Sequence, residues 1–187
     1  MKRILVVYGT TEGHTRKIAE FIGEKLRARG HVARVIDAAS PDAKQVQPMY
    51  DGVIVGGSLH QGQHQSALAH FIRENTSWLN GLPSALFSVS LSMASADEKE
   101  RAEARQLAQQ FVEQTGLDAG IVRCLAGALL YTKYDYFKRF MMRRIAEQEG
   151  GEVDTSKDHE YTDWDDVAAF VDEYLAATAM VGEKSHG

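Results

Sequence analysis

The chain has 187 residues, of which 44% are apolar, and this length and composition predict one well-filled core rather than two. Its formal net charge of −5 gives no general attraction to nucleic acid, so we expect no nucleic-acid partner. The single cysteine, Cys124, excludes an internal disulfide, and no apolar run approaches the ~20 residues that span a bilayer; we therefore predict a cytoplasmic protein.

Apolar and β-branched runs predict strands, and amphipathic spacing between them predicts helices. The strands are expected at residues 3–8, 32–37, 52–57, 85–91 and 121–130. The helices are expected at residues 14–29, 65–78, 96–114 and 162–177, the last opened by a cap at Thr162. The domain is expected to cover residues 1–179, and residues 180–187 are predicted to be a disordered tail.

The alternation of strands and helices predicts an α/β fold with helices on both faces of a parallel sheet. Five strands with a phosphate-type loop after the first predict a doubly wound sheet of order 2-1-3-4-5. In such a sheet, ligands bind beyond the carboxyl ends of strands 1, 3 and 4. Residues 131–161 exceed the usual helix-free connection and are predicted to be an insert between strand 5 and the last helix.

The loop between the first strand and the first helix is the best candidate for phosphate binding. Thr10, Thr11 and Thr15 supply hydroxyl donors, and Gly9 and Gly13 allow close backbone approach and positive φ. The helix that follows begins with unpaired N–H groups. The same residues could also form an ordinary strand–helix turn capped by a threonine, so the loop alone leaves both interpretations open.

Several phosphate-binding classes do not fit this loop. No lysine follows Gly13, which excludes a Walker A loop, and the glycines lack dinucleotide spacing. A response regulator needs acidic residues after strands 1 and 3, where this chain has Gly9-Thr10 and Gly57-Ser58. FMN is the remaining precedent, because neutral donors at a helix N-terminus can hold its terminal phosphate.

The run Thr10-Thr11-Glu12-Gly13-His14-Thr15 resembles the phosphate-binding signature of the flavodoxin family, with Glu12 where a carrier flavodoxin usually has threonine. More specifically, residues 3 to about 175 resemble the flavodoxin-like bacterial protoporphyrinogen oxidases that use quinone. The resemblance rests on Gly56-Gly57-Ser58-Leu59-His60-Gln61-Gly62, Pro83-Ser84-Ala85-Leu86-Phe87-Ser88-Val89, Ala126-Gly127-Ala128-Leu129, the aromatic and basic insert, and the motifs between Gly150 and Trp164.

We predict that FMN is held by the first loop and by the loops after strands 3 and 4. The expected cofactor-binding residues are Thr10, Thr11, Glu12, Gly13, His14, Thr15, Ser58, Leu59, His60, Gln61, Gly62, Ser88, Val89, Ser90, Leu91 and Ser92. The latter two loops contain no Tyr, Trp or Phe, which leaves one face of a flavin open to a substrate. The alternative is that an insert residue such as Tyr131 or Tyr134 covers the ring.

Two histidines flank the expected flavin position. His60 and His64 are weak candidates for assisting proton transfer, and the alternative for each is a solvated or hydrogen-bonding side chain. No other catalytic residue is predicted, and no metal site is proposed because the histidines and acids never fall into a compact ligand spacing.

The first half of the insert is basic and aromatic in an otherwise acidic chain. We predict that it contacts the propionates of a substrate or the headgroups of the inner membrane face. The residues concerned are Tyr131, Lys133, Tyr134, Lys138, Arg139, Arg143 and Arg144. A surface helix that packs Tyr134, Phe137 and Met141 on the domain and solvates its charges would show the same pattern.

The resemblance implies an enzyme of haem biosynthesis that oxidises protoporphyrinogen IX through FMN and passes electrons to a quinone, menaquinone or ubiquinone. A flavodoxin electron carrier is disfavoured by the absence of an aromatic sandwich and by the basic insert. A NAD(P)H:quinone reductase on the same fold would need a nicotinamide donor, for which no motif is visible. An interaction module that binds no flavin is the most distant alternative.

Overall fold

Five parallel strands pair in the order β2-β1-β3-β4-β5 and form the centre of the molecule. The computed structural model describes residues 1–129 and 159–184. The strands are β1 (Arg3–Gly9), β2 (Val32–Asp37), β3 (Gly52–Ser58), β4 (Ser84–Ser90) and β5 (Ile121–Ala126). The helices are α1 (His14–Ala28), α2 (Ser66–Leu79), α3 (Glu98–Thr115) and α4 (Trp164–Lys184), and short 3-10 helices cover Pro41–Gln45 and Ser92–Ala94. The predicted fold class and strand order are confirmed.

Side chains of β1 alternate between the two faces of the sheet, and each face has its own core. Ile4 and Val6 pack in one cluster with residues of α1 and α4. Leu5 and Val7 pack in the other with residues of α2 and α3. Because both faces are covered, β1, β3 and β4 are buried almost throughout, which explains their unbroken apolar runs.

The register of the sheet aligns the carboxyl ends of its central strands. Gly9 pairs with Gly57, and Gly57 pairs with Ser88. The loops that follow β1, β3 and β4 therefore leave the sheet side by side, at the switch point where the direction of winding reverses. This edge is where the candidate site lies.

The end of β5 differs from the prediction, which continued the strand to residue 130. The strand stops at Ala126, and a short antiparallel pair follows, β6 (Ala128–Leu129) with β7 (His159–Glu160). The chain leaves the sheet at Gly127, whose N–H donates to Ser90 O while its own carbonyl accepts from Tyr161 N. This pair is the stem of the predicted insert, and residues 130–158 lie outside the described residues.

The last helix also differs from the prediction at both ends. Its cap is Asp163, whose carboxylate accepts from the N–H groups of Asp165 and Asp166, while the Thr162 hydroxyl donates to Ala126 O. The helix continues to Lys184, past the predicted end at residue 177 and into the predicted tail. Residues 176–181 are rich in alanine and free of proline and glycine, so nothing in the backbone stops the helix there.

No helix within the described residues is long and apolar enough to cross a membrane.

Candidate functional site

A cavity of about 350 Å³ opens at the carboxyl ends of β1, β3 and β4. This volume falls within the roughly 300–1,000 Å³ usual for small-molecule sites. Its lining includes nearly all the residues predicted from the three loops: Thr10, Thr11, Glu12, His14, Thr15, Ser58, Leu59, His60, Gln61, Gly62, Val89, Ser90, Leu91 and Ser92. The fold thus brings together side chains more than 80 positions apart in sequence.

One end of the cavity is formed by the loop between β1 and α1. Gly13, the N-cap residue, precedes the helix with φ 94°, a left-handed conformation that disfavours any residue with a Cβ, and it has no side chain to cap the helix. The Thr10 hydroxyl accepts from Gly13 N at 2.9 Å. Because the N-cap residue leaves the N–H groups of the first turn uncapped, their partial positive charge is available to an anion in the cavity.

His14, the first residue of α1, lines the cavity, and its ring is fixed by a hydrogen bond to Thr162. Its Nε2 lies 2.7 Å from Thr162 Oγ1, and that hydroxyl donates its own proton to Ala126 O at 2.8 Å. Thr162 can therefore only accept from His14, which fixes the proton of the neutral ring on Nε2. Burial lowers the pKa of His14, and Lys17 lowers it further, while Glu160 acts in the opposite direction.

The cations of the first helical turns are paired with acids of the protein. Lys17 Nζ lies 2.5 Å from Glu160 Oε2 and 5.1 Å from the centre of the Trp164 ring. Arg16 bonds Glu20. Among the residues that the structure describes, an anion in this loop would consequently meet hydroxyls and helix N–H groups rather than an unpaired lysine or arginine of α1.

The other end of the cavity is formed by the loops after β3 and β4. His60 and Gln63 exchange backbone hydrogen bonds around a tight turn, with Gln61 at φ 49° and Gly62 at φ 77°. Leu59 N donates to Val89 O at 2.7 Å, which ties the start of the loop after β3 to the end of β4. In the described part of the chain, no Tyr, Trp or Phe lines the cavity.

Helix α3 forms a wall of the cavity that the sequence analysis did not assign to the site. Glu100, Glu103, Ala104 and Leu107 line it, and their spacing of i, i+3, i+4 and i+7 places them on one helix face. Gly127 and Ala128, beside the β6–β7 stem, also line it. The signal in the sequence was that Glu100 and Glu103 continue the face of Ala104 and Leu107 toward the N-terminus of the helix.

Gln65, directly before α2, was also missed. Its Nε2 donates to Thr11 Oγ1 at 3.0 Å and to Ser58 Oγ. One amide therefore connects the loop after β1 with the end of β3. No local pattern marks this residue, because both partners are distant in sequence.

Two predicted site residues lie behind the cavity instead of lining it. His64 Nε2 is 2.9 Å from Ser88 Oγ, and its ring lies 4.4 Å from that of Phe111 in α3. Burial lowers the pKa of His64 to about 4, so the ring is neutral near pH 7. His64 and Ser88 therefore form a packed pair that supports β4, whereas His60 remains beside the cavity. Gly13 also does not line the cavity, although it shapes the loop.

Ser90 provides a test of whether the cavity fits a polar ligand. It lines the cavity and is 6% exposed, yet its hydroxyl has no hydrogen-bond partner among the described residues. A buried hydroxyl without a partner costs free energy, which a bound hydrogen-bonding group would recover. With the threonine hydroxyls at one end and Leu59, Val89 and Leu91 at the other, the lining fits a ligand with a phosphate at one end and a flat, partly polar ring at the other.

The predicted substrate or membrane contacts Tyr131, Lys133, Tyr134, Lys138, Arg139, Arg143 and Arg144 lie outside the described residues. The stem that carries this segment borders the cavity through Gly127 and Ala128. Cys124, in β5, is a free and half-buried thiol whose pKa is raised by burial.

Comparison with known proteins identifies relatives along most of the chain. Residues 5–156 match the family model described as a flavodoxin domain. The chain is 34% identical over 176 residues to protoporphyrinogen IX dehydrogenase [quinone] of Escherichia coli (strain K12), covering 94% of this chain and 96% of that protein. It is 31% identical over 179 residues to the Leishmania major protein of the same name, covering 96% of this chain and 77% of that protein.

Among solved structures, a short-chain flavodoxin associated with a bacterial microcompartment aligns with 79% of this chain and 99% of its own, with a TM-score of 0.50 and 14% identity. Similarity at this level of identity shows only that the fold is shared.

Proposed function

This chain belongs to the flavodoxin-like family of quinone-linked protoporphyrinogen IX dehydrogenases, and we propose that it is an FMN enzyme that oxidises protoporphyrinogen IX to protoporphyrin IX. The electron acceptor in this proposal is a quinone, menaquinone or ubiquinone. This reaction gives the protein a role in haem biosynthesis.

The observation that supports this proposal most strongly is the division of the cavity into two chemically different ends. Thr10, Thr11 and the N-terminus of α1 offer neutral donors suited to the FMN phosphate. Leu59, Val89 and Leu91 offer an apolar surface suited to a ring. Ser90 supplies a buried hydroxyl that needs a partner, which the polar edge of the ring can provide.

When bound, FMN supplies the redox chemistry by taking up hydride from the substrate and passing electrons to the quinone. The protein anchors the phosphate through the first loop, and this fixes the cofactor in position. The absence of Tyr, Trp and Phe from the described lining leaves room for a second ring system to approach within the roughly 3–3.5 Å that a reaction requires. An electron carrier has no use for such an opening.

The acidic wall on α3 gives the substrate an orientation. Glu100 and Glu103 line the cavity, and their carboxylates repel the propionates of a porphyrinogen while accepting hydrogen bonds from pyrrole N–H groups. The propionates consequently point away from α3. The basic segment that contains Lys138, Arg139, Arg143 and Arg144 is then the complementary partner for them, or for anionic lipid at the inner membrane face where the quinone resides.

A combined substitution tests the basic segment. Replacing Lys138, Arg139, Arg143 and Arg144 with glutamine should lower turnover of protoporphyrinogen while the protein still binds FMN, because the phosphate loop is untouched. Turnover is measured with quinone in solution and with quinone in anionic vesicles, which separates a substrate role from a lipid role. Unchanged turnover in both assays contradicts any role of these charges.

Steady-state oxidation tests the activity itself. The purified protein, loaded with FMN, is mixed with protoporphyrinogen under anaerobic conditions, and porphyrin fluorescence is followed with and without quinone. We expect sustained product formation only when quinone is present. A protein that binds no FMN contradicts the proposal, and turnover of quinone with NADPH but not with the porphyrinogen identifies a reductase instead.

A further inference from the structure

The Gln65 side chain packs closely against the backbone of two glycines. It lies beside Gly9 and Gly57, which pair across β1 and β3 at their carboxyl ends. A Cβ at Gly9 would lie 3.1 Å from both Cβ and Oε1 of Gln65, and a Cβ at Gly57 would lie 3.5 Å from that Oε1. The close approach depends on glycine, above all at Gly9, and it brings the amide to the base of the two loops that form the cavity.

The hydrogen bonds of this amide determine whether two hydroxyls at the cavity act as donors or as acceptors toward a ligand. Gln65 Nε2 gives one proton to Thr11 Oγ1 and the other to Ser58 Oγ. A hydroxyl that accepts a hydrogen bond keeps its own proton for another acceptor. Among the described residues, neither hydroxyl donates to a protein acceptor, so both protons are available to a ligand in the cavity.

In the orientation found here, the amide nitrogen faces both hydroxyls, which leaves the protons of Thr11 and Ser58 for a ligand. With oxygen and nitrogen exchanged, the amide oxygen would accept from both hydroxyls, and neither proton would be available to a ligand. The Thr10 hydroxyl likewise accepts from Gly13 N, so its own proton is left for a ligand.

We propose that Gln65 is a positioning residue for the cofactor: it holds the Thr11 and Ser58 hydroxyls as hydrogen-bond donors, and thereby lets a loop without a dedicated cation bind phosphate. Thr11 lies in the phosphate loop and serves the phosphate, while Ser58, at the end of β3, serves the ribityl and ring part. This inference rests on the proposed function, because it concerns the FMN that the cavity is proposed to hold.

The test compares the affinities of the apoprotein for FMN and for riboflavin, which lacks the phosphate. Gln65→Glu keeps the shape of the side chain but replaces the donors with acceptors. Because hydrogen bonds to charged groups are worth about tenfold to hundredfold in affinity, FMN binding should weaken by about that factor. Riboflavin binding should weaken less, so the preference for FMN should fall. Gln65→Met, which neither donates nor accepts, should fall between the wild type and Gln65→Glu.

Gln63→Glu is the matched control, because it places the same charge two residues away on an exposed side chain. Its affinity for FMN should stay within about threefold of the wild type, since an exposed charge is screened by solvent. If Gln65→Glu and Gln63→Glu bind FMN equally well, the inference is overturned. Wild-type protein that binds no FMN contradicts the proposed function instead, so the two failures are distinguishable.

A double-mutant cycle separates positioning from a general loss of structure. If Gln65 acts in part through the Thr11 hydroxyl, Gln65→Met should cost less FMN affinity in a Thr11→Val background than in the wild type, and the remaining cost is the part that acts through Ser58. Losses that multiply independently overturn the inference. Thr11→Ser, which retains the hydroxyl, should restore the dependence on Gln65.

Discussion

The two ends of the cavity are built in opposite ways. At the phosphate end, the loop after β1 is tied on one side by Gln65 and on the other by His14, which bonds Thr162 beyond the β6–β7 stem. At the ring end, the loop after β3 is a tight turn joined to its neighbour by the Leu59 backbone, and its walls are Leu59, Leu91 and the acidic face of α3.

From this difference we infer that binding and reaction are assigned to separate parts of this site. Many directional hydrogen bonds fix the phosphate end, which suits an anchor that stays unchanged through the reaction. The ring end has, in the described residues, no large aromatic side chain, which suits a surface that a second molecule must reach. Damage at the first end should reduce FMN affinity, and damage at the second should reduce turnover.

The largest expected effect is at the phosphate end. Thr10→Val combined with Thr11→Val removes two hydroxyls without changing side-chain volume much. FMN affinity should fall by about a hundredfold, because each lost bond to a charged phosphate is worth about 1.5 kcal/mol or more. Riboflavin affinity should change far less. Fluorescence titration of the apoprotein measures both, and the Thr10→Ser, Thr11→Ser pair should bind like the wild type.

A substitution at the ring end should have the opposite result. Leu59→Trp places an aromatic ring where the flavin face is otherwise open. FMN affinity should hold or rise, since aromatic stacking contributes about 0.5–1.5 kcal/mol, whereas turnover of protoporphyrinogen should fall at least about tenfold because the substrate can no longer approach within reacting distance. Leu59→Met serves as control. If Leu59→Trp turns over normally, substrate does not approach the ring from this side.

A smaller effect is expected behind the phosphate loop. Thr162→Val removes the acceptor of the His14 Nε2–H and should weaken FMN binding by about fivefold, the value of one ordinary hydrogen bond. Thr162→Ser should restore it. If Thr162→Val lowers the thermal stability of the apoprotein but leaves the Kd for FMN unchanged, the threonine stabilises the stem without affecting the loop.

The smallest effect on function is expected at His64. Since it lies behind the cavity, His64→Gln should leave turnover near pH 7 within about twofold of the wild type. Burial lowers the pKa of His64 to about 4, below the value of about 6.5 in an unfolded chain. Its contribution to the free energy of unfolding is therefore complete above about pH 6.5 and is lost as the pH falls toward about 4, roughly 3 kcal/mol in all.

Urea unfolding at a series of pH values measures that contribution. Between about pH 6.5 and about pH 4, the wild type should lose more stability than His64→Gln, and the difference isolates this residue from His14 and His31, whose pKa values burial also lowers. Equal slopes for the two proteins would show that His64 is not held neutral.

The strands, the helices and the order of the sheet follow from apolar periodicity, and the first helix follows from its loop and its amphipathic spacing. The residues of the three loops could be predicted to converge because parallel strands end at a common edge. Gln65, Glu100 and Thr162 could not be assigned to the site, since each joins it through contacts with residues far away in sequence. For His64 the sequence left a proton carrier and a hydrogen-bonding side chain open, because a position beside a loop does not reveal which way a side chain points, and the contact with Ser88 favours the second.

The same limit applies to the ends of elements. The apolar run 121–130 reads as one strand, yet the chain turns at Gly127 into the stem. Nothing local distinguishes a residue that pairs with β4 from one that pairs with β7, since both environments favour apolar side chains.

Anaerobic reduction of the bound flavin tests the central claim most directly, because it requires both ends of the cavity to work together and needs no quinone. The FMN-loaded protein is mixed rapidly with protoporphyrinogen or with NADPH, and the visible absorbance of the flavin is followed. We expect protoporphyrinogen to bleach the flavin and NADPH to leave it oxidised, and we expect Leu59→Trp to slow the bleaching while retaining FMN. A flavin that NADPH reduces and protoporphyrinogen leaves oxidised would contradict the central claim.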